Sequence, residues 1–417
     1  NMLSLSLLAV LVNFTLFALL YFSVFQLFPN WKNSESWQAK RLILPLILVL
    51  SVSAVLNKYI SNYKRIVIPN IFENIFPKLA NIGAFCLFFF LGFSEETAFI
   101  FFFGVFLGSM LGYFFYNNKL EPFRFDFNLD YFKKDNLWLR FLVYSFFGFL
   151  RNIGSFLALK IANVMIGEYI SFEQNGLYSN IYSIAALIMV PQMGLYNISA
   201  PIINRHLADN TLKELDSFHK KTSLSLFFLG LVLFSCIVVG FPFLAGFMKN
   251  GEMLKQSQFI LWIIGFAMLF DLATGFNSHI ISLSNLYRYN TFFMLILACL
   301  TIGLNTLFLQ FTDFGILGIA VSYAVSLTTF NLIKIIFNYH HFSVFPLSAK
   351  MLSALLVCFL AVFSAVLLPE FKINLLNLIY KPAWVLLVVF SGNYFLKIYT
   401  LDKFLNKGFL SSLWKKP

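Results

Sequence analysis

The sequence predicts an all-α membrane protein with about twelve transmembrane helices, because apolar residues gather in runs of roughly 20, the length of a bilayer-spanning helix. Apolar residues make up 59% of the 417-residue chain, and the mean hydropathy is +0.80. Charged residues make up 12%, which is about half of the roughly 25% that is usual in soluble domains. A soluble globular protein is therefore excluded.

The predicted spans fall into two groups separated by a polar and aromatic segment. The first group lies at 3–28, 42–60, 74–93 and 97–116, and the second at 139–166, 177–200, 221–248, 258–283, 291–311, 315–337, 349–368 and 382–400. We therefore predict an N-terminal bundle at 1–116, an amphipathic cytoplasmic linker at 117–138, a C-terminal six-helix bundle at 139–340, and two further spans with a cytoplasmic tail at 341–417.

Lysine and arginine residues indicate how the spans are oriented. The chain has 30 of them, and one set of alternate loops holds more than the other by about three to one; the richer set faces the cytoplasm. Both termini are therefore predicted to be cytoplasmic. In this assignment Lys334 belongs to the cytoplasmic side and Lys381 to the outer side. The net charge of +12 thus reflects topology, and no soluble basic module suited to nucleic acid is present.

The residue patterns of enzymes and metal sites are missing from the sequence. All four cysteines lie within apolar segments, at spacings that no metal site uses: Cys86, Cys236, Cys299 and Cys358. The phosphate-binding loop of nucleotide hydrolases, the GxSxG nucleophile turn and the HExxH zinc motif do not occur. We therefore predict no catalytic residue and no metal ligand.

An ordered set of motifs resembles a known transporter family. The run NVMIGEYISFEQNGLYSNIYSIAALIMVP at 163–191 resembles the seventh and eighth helices of Wzx-type polysaccharide flippases, which belong to the multidrug/oligosaccharidyl-lipid/polysaccharide (MOP) exporter superfamily. Further matches follow in the family's order at 57–83, 200–225, 238–250, 277–290 and 303–334. In this alignment the first span corresponds to the family's third helix, so we expect two N-terminal helices to be absent from this chain. Asn163 stands where many relatives carry Asp.

The resemblance implies a fold and an activity. The expected fold is MATE-like, with two pseudo-symmetric helical bundles arranged as a V around a central cavity. The expected activity is alternating-access movement of a polyprenyl-pyrophosphate-linked oligosaccharide across the bacterial inner membrane, for surface polysaccharide, O-antigen or capsule synthesis. No bond is made or broken, so the protein is not expected to be an enzyme. Membrane lipids and polysaccharide polymerase or assembly proteins are the expected partners.

Two alternatives and the energy source remain open. An ion-coupled multidrug antiporter of the same superfamily is the first alternative, and it predicts an acidic cavity for cationic drugs. A polytopic glycosyltransferase or O-antigen polymerase is the second, and the short outer loops of this sequence argue against it. No cofactor is predicted. Because no nucleotide-hydrolysis motif is present, transport is expected to use a Na⁺ or H⁺ gradient, the membrane potential or mass action.

Arg151 lies near the centre of the predicted span at 139–166. A charge at this depth is costly and is by default a functional candidate. It either contacts the pyrophosphate or an acidic sugar, since guanidinium groups bind phosphate oxygens in pairs, or forms a structural ion pair. Ser155 shares its helix face, while Asn152 and Asn163 share a second polar face that lines the cavity or bonds neighbouring helices.

Asp271 is the carboxylate closest to mid-depth in the predicted spans. Thr274, Ser278 and Ser282 follow it at helical spacing and form one polar stripe. We predict a coupling or gating role for Asp271, Thr274, Ser278 and His279. Asp271 either pairs with Arg151 in a salt bridge that substrate breaks, or binds H⁺ or Na⁺. His279 either titrates or forms an interhelical hydrogen bond.

Two further residues complete the predicted substrate site. Lys78 lies near the inner end of the third span, where it either receives an entering headgroup or follows the positive-inside pattern. Gln192 follows Pro191, which marks a bend, and interrupted helices are where transporters bind substrate. The predicted substrate-binding residues are Arg151, Asn152, Ser155, Asn163, Lys78 and Gln192.

Overall fold

The computed structural model describes residues 2–27, 40–63, 67–122, 137–248 and 250–399, and these residues form helices and connecting turns without a β-strand. The predicted all-α class is therefore confirmed. The predicted linker at 117–138 lies mostly outside the described residues. The chain divides into two compact units, at 1–139 and 140–417.

Helices α1 to α5 form the described part of the first unit: α1 (Met2–Leu27), α2 (Lys40–Asn62), α3 (Val67–Asn74), α4 (Phe76–Phe89) and α5 (Glu95–Leu120). Helix α2 packs against α1 and α5, and α4 packs against α5. The helix is interrupted between α3 and α4 at Ile75, two residues before Pro77, whose ring nitrogen has no hydrogen to donate. The Tyr113 hydroxyl donates to the Pro69 carbonyl (3.1 Å) and ties α5 to α3.

Helices α6 to α16 follow: α6 (Leu137–Tyr169), α7 (Phe172–Ala186), α8 (Val190–Ala208), α9 (Leu212–Ala245), α10 (Gly251–Gln256), α11 (Gln258–Ala273), α12 (Asn277–Leu283), α13 (Tyr287–Phe311), α14 (Gly315–Phe342), α15 (Ala349–Leu367) and α16 (Asn374–Leu396). The 34-residue α9 is the central helix of the second unit. It packs against α8, α11, α15 and α16, and its buried face includes Leu226, Phe228 and Phe241. The two helices after residue 341 thus pack on the bundle itself.

Ten of the described helices are long and apolar enough to cross a membrane, or eleven if α11 and α12 are counted as one bent span. The chain is a multi-pass membrane protein. The difference from the predicted twelve lies at 177–200, where α7 ends at Ala186, a 3-10 turn covers Leu187–Met189, and α8 begins with Pro191 in its first turn. Proline cannot donate the hydrogen bond that would continue α7, so the helix is interrupted there.

Lys334 and Lys381, which the lysine and arginine pattern assigned to opposite sides of the membrane, are both buried within helices, and the assignment of sides stays a prediction. Helix α14 continues two turns beyond Lys334, to Phe342, and α16 begins two turns before Lys381, at Asn374. The Lys381 side chain is 4% exposed and its Nζ lies 3.0 Å from Oε1 of Glu370, whose side chain is 63% exposed. Helix α14 therefore continues beyond its predicted end at 337, and α16 begins before its predicted start at 382.

Candidate functional site

The candidate site is built around the break between α11 and α12. The two helices meet at 48°, and residues 274–276 connect them. Gly275 has φ +61°, and a Cβ atom at this position would collide with the Ser223 hydroxyl of α9. Only glycine adopts this backbone conformation at no cost and leaves room for that close approach. The predicted polar stripe from Asp271 to Ser282 is therefore not one straight helix, and this expectation is corrected.

Three side chains from neighbouring helices hold α12 in its bent position. Lys334 Nζ donates to Ser278 Oγ (3.0 Å), and Asn338 Nδ2 donates to the side-chain oxygen (2.7 Å) and the carbonyl (3.2 Å) of Asn277. From α13, Asn290 Nδ2 donates to Ser282 Oγ (2.7 Å). Lys334 and Asn338 lie one turn apart on α14 and therefore share a face.

Lys334 is a buried cation, with 3% of its surface exposed. Its Nζ lies 3.9 Å from the centre of the Phe330 ring, one turn earlier on α14, which is a cation–π contact. The Asp271 carboxylate is close enough for its charge to act on the Lys334 ammonium. A buried ammonium needs such compensation because burial removes its hydration.

Asp271 lies in the last turn of α11, beside the break. Its carboxylate charge acts on Tyr182 of α7, on Tyr196 of α8, and on Tyr323 and Lys334 of α14. The rings of Tyr182 and Tyr323 meet edge to face at 5.6 Å. Asp271 itself is half-buried, and the polar groups within reach of its charge belong to three other helices.

Tyr196 joins two residues that the sequence assigned to different roles. Gln192 Nε2 donates to its hydroxyl (2.7 Å), and its ring stacks on the His279 ring, with 4.0 Å between the centres and 16° between the planes. Its ring also lies 5.1 Å from that of Phe276, within the break. Helix α8 therefore contacts the break through one aromatic side chain.

The predicted gating residues all lie at the break. The Thr274 hydroxyl donates to the Asp271 carbonyl (2.7 Å), which closes the last turn of α11. Ser278 accepts from Lys334, and His279 stacks on Tyr196. These four residues, Asp271, Thr274, Ser278 and His279, form one site with helix α14, although their coupling role stays a prediction.

The predicted substrate-binding residues are more dispersed. Asn152 is exposed, while Ser155 and Asn163 are half-buried, all on α6. Lys78 is exposed on α4 and belongs to the first unit, whereas Gln192 joins the break through Tyr196. The Arg151 side chain lies outside the described residues. Its contact with substrate and its pairing with Asp271 therefore stay predictions.

Sequence reasoning missed the contribution of α14 to this site. The signal was present: Phe330, Lys334 and Asn338 follow one another at four-residue intervals, which places them on one helix face. Asn331 and Ser326 of the same helix are also buried. The missed tyrosines, Tyr182, Tyr196 and Tyr323, carry no pattern that distinguishes them from aromatic packing residues.

A second polar cluster lies in the first unit. It lines a cavity of about 200 Å³, whose walls include Ser109 and Lys58. At this cavity Asn57 Nδ2 donates to Oε2 of Glu73 (2.9 Å), and Tyr113 closes one side. Glu73 is exposed, so this cluster is open to its surroundings, unlike the buried Lys334 site.

Comparison with solved structures identifies proteins that have the same fold as this chain. The sequence matches no protein-family model and no curated protein. Among solved structures, the chain is similar to the lipid II flippase MurJ in its inward closed conformation, with a TM-score of 0.63 and 16% identity over 94% of this chain and 84% of that one. It is also similar to a mutant MATE protein, with a TM-score of 0.56 and 12% identity over 82% and 78% of the two chains. The chain shares their fold.

Proposed function

We propose that this chain is a flippase that moves a polyprenyl-pyrophosphate-linked oligosaccharide from the cytoplasmic to the outer leaflet of a bacterial inner membrane. The observation that carries the proposal is the shared fold with a lipid II flippase over 94% of the chain. The ordered Wzx-type motifs support a polysaccharide precursor as the cargo. The reaction is a translocation, and the chain supplies no chemistry to the cargo.

The charges in the second unit support an anionic cargo. Arg151 lies within α6 and Lys334 within α14, both in helices long enough to span the membrane. Cations at this depth are retained where they meet an anion or a counter-ion. Arginine binds phosphate oxygens in pairs, so Arg151 is the proposed contact for the pyrophosphate. Asn152, Ser155 and Asn163 on the same helix are its proposed polar companions.

The broken helices support alternating access. Transporters bind substrate and coupling ions where membrane helices are interrupted. In the second unit, helices are interrupted at 187–189 and at 274–276. Tyr196 connects the two interrupted segments, because it lies on α8 and stacks on His279 of α12. We propose that these segments change their angle together during transport.

Complementation of a flippase-deficient strain by the full-length gene tests the proposal. At matched expression, wild type restores surface polysaccharide, Arg151→Ala abolishes it, and Arg151→Lys restores it partly because lysine keeps the charge without the paired geometry. Lys160→Ala is the matched control, since Lys160 is an exposed cation on the same helix. If the wild type fails in all strains tested, the proposed cargo is wrong. If Arg151→Ala is fully active, Arg151 is not the contact for the pyrophosphate.

A multidrug antiporter is the second candidate, and Asp271 with its tyrosines favours it. A carboxylate among aromatic rings is suited to an organic cation, and the second structural neighbour is a MATE protein. Growth of a drug-sensitive strain expressing this chain separates the two candidates. Resistance to cationic drugs that Asp271→Asn abolishes, without restored polysaccharide in the flippase-deficient strain, favours the antiporter.

A further inference from the structure

We propose that the cavity of the first unit binds the headgroup of a zwitterionic aminophospholipid, with Glu73 taking its ammonium group and Lys58 its phosphate. The cavity lies among α2, the interrupted helices α3 and α4, and α5, and its volume is about 200 Å³. A cavity of about 150 Å³ is enough for a molecule the size of benzene, so a headgroup fits. The inference concerns a bound membrane lipid and does not depend on the proposed cargo.

Two opposite charges line this cavity without pairing with each other. Lys58 of α2 and Glu73 of α3 both belong to its walls, and both are exposed. No ion pair joins them in the described part of the chain. Glu73 is held instead by Asn57, whose Nδ2 donates to its Oε2 (2.9 Å). A ligand that carries one positive and one negative group therefore meets a partner for each of its charges.

The walls of the cavity change from apolar to charged along α2. Leu50 and Ala54 line its apolar part, and Asn57 and Lys58 line its polar part. Leu50, Ala54 and Lys58 are exposed and follow one another at four-residue intervals, so they form one row on the helix. Lys58 lies about 6 Å along the axis from the end of α2, whereas Leu50 lies about 18 Å from it. An amphiphile matches this row, with its headgroup near the helix end and its chains deeper.

Helix α5 repeats this order. Phe106 lines the deeper part of the cavity, and the buried Ser109 and Tyr113 line the part nearer the end of the helix. The ends of α2 and α5 lie together, since the Tyr59 hydroxyl donates to Oε2 of Glu121 (2.8 Å). The polar part of the cavity is therefore built by two helices at the ends where both stop.

The charges select a zwitterionic headgroup over an anionic one. A phosphate alone gains the Lys58 ammonium but meets the repulsion of the Glu73 carboxylate in the same cavity. An aminophospholipid also supplies a primary ammonium, which donates charge-assisted hydrogen bonds to a carboxylate. The hydroxyl oxygens of Ser53 and Ser109 are further acceptors in the wall. A quaternary ammonium has no N–H to donate, so phosphatidylcholine is expected to bind less well than phosphatidylethanolamine.

Competitive lipid retention by the purified full chain, measured by native mass spectrometry, tests this inference. The protein is delipidated in detergent and mixed with equal amounts of phosphatidylethanolamine, phosphatidylcholine and phosphatidylglycerol of distinguishable mass. We expect the wild type to retain one phosphatidylethanolamine at least about threefold more than either competitor. Glu73→Gln keeps an acceptor for Asn57 and loses the charge, so we expect it to lose this preference.

Lys58 and two control residues complete the test. Lys58→Gln removes the contact with the phosphate, so we expect it to retain at least about threefold less phosphatidylethanolamine than the wild type. Glu96→Gln and Lys119→Gln are the matched controls, because both residues are exposed charges of α5 outside the cavity walls. We expect both controls to retain the lipid as the wild type does.

Three results overturn the inference. The first is a wild type that retains phosphatidylglycerol or phosphatidylcholine as well as phosphatidylethanolamine. The second is Glu73→Gln with the wild-type preference, and the third is a control variant that loses as much lipid as Glu73→Gln. If Glu73→Gln does not fold, the competition among the three lipids on the wild type decides. Retention is measured without transport, so the result stays valid if complementation fails.

Discussion

Asn338 offers the most direct test of how the helix break is held. Its side-chain amide donates to both oxygens of Asn277, the side-chain oxygen at 2.7 Å and the carbonyl at 3.2 Å, and both residues are fully buried. Asn338→Ala removes both hydrogen bonds from a place that water reaches poorly. A buried polar group that loses its partner costs about 1–3 kcal/mol, so we expect a loss of about 2–4 kcal/mol.

The assay compares Asn338→Ala with Asn290→Ala in the same membrane mimetic. Asn290 contributes one hydrogen bond, to the half-buried Ser282, so its loss is expected to cost about 1 kcal/mol. Thermal unfolding monitored by size-exclusion chromatography or intrinsic fluorescence gives the two Tm values. Asn338→Ala is expected to lower Tm by at least twice as much as Asn290→Ala.

A transport assay of Asn338→Ala is the second test. Because α12 is only seven residues long, it cannot hold its own angle, and we expect Asn338→Ala to lose transport before it loses expression. Equal Tm shifts in the two variants would refute the reasoning, because the double hydrogen bond would then contribute no more than the single one. So would an Asn338→Ala protein that matches the wild type in stability and transport.

Two further predictions concern the same unit. Gly275→Ala is expected to destabilise the protein by about 1–3 kcal/mol, because its φ is +61° and its Cβ would contact Ser223. Gly303→Ala is the control, since a Cβ at that position meets open space. Equal Tm values for the two variants would contradict the prediction. Glu370→Gln is expected to lower Tm more than Lys381→Met, because it strands a buried ammonium whereas the second change leaves an exposed carboxylate in water. A larger loss of Tm in Lys381→Met than in Glu370→Gln would show that Glu370 is not the main partner of the Lys381 ammonium.

The sequence predicted the membrane class and most spans correctly because both depend on local composition. Runs of apolar residues identify a spanning helix without reference to neighbouring helices. The span at 177–200 was less accurate, since Pro191 was recognised as a bend but not as the start of a separate helix. The end of α14 and the start of α16 were also inaccurate, because the composition of an apolar run does not mark where its helix begins or ends.

The helix break was harder to predict because its causes lie far apart in the chain. Gly275 and Thr274 permit the bend locally, yet the residues that hold it, Asn338 and Lys334, lie about sixty residues further on, on another helix. Hydrophobic periodicity contains no information on which side chains meet between helices. Asp271, Ser278 and His279 were chosen because polar groups at bilayer depth need a reason to be there. All three lie beside this break, and their coupling role stays a prediction.

Lipid translocation by the purified full chain in proteoliposomes tests the proposed flippase activity. A polyprenyl-pyrophosphate-linked oligosaccharide carrying a fluorophore on its sugar is placed in both leaflets, and an impermeant reductant quenches the outer pool. We expect complete quenching with wild-type protein, quenching of only the outer pool with Arg151→Ala, and no movement of an uncharged polyprenol-linked analogue. Quenching of only the outer pool by folded wild-type protein, equal to that of protein-free liposomes, would contradict the proposed activity.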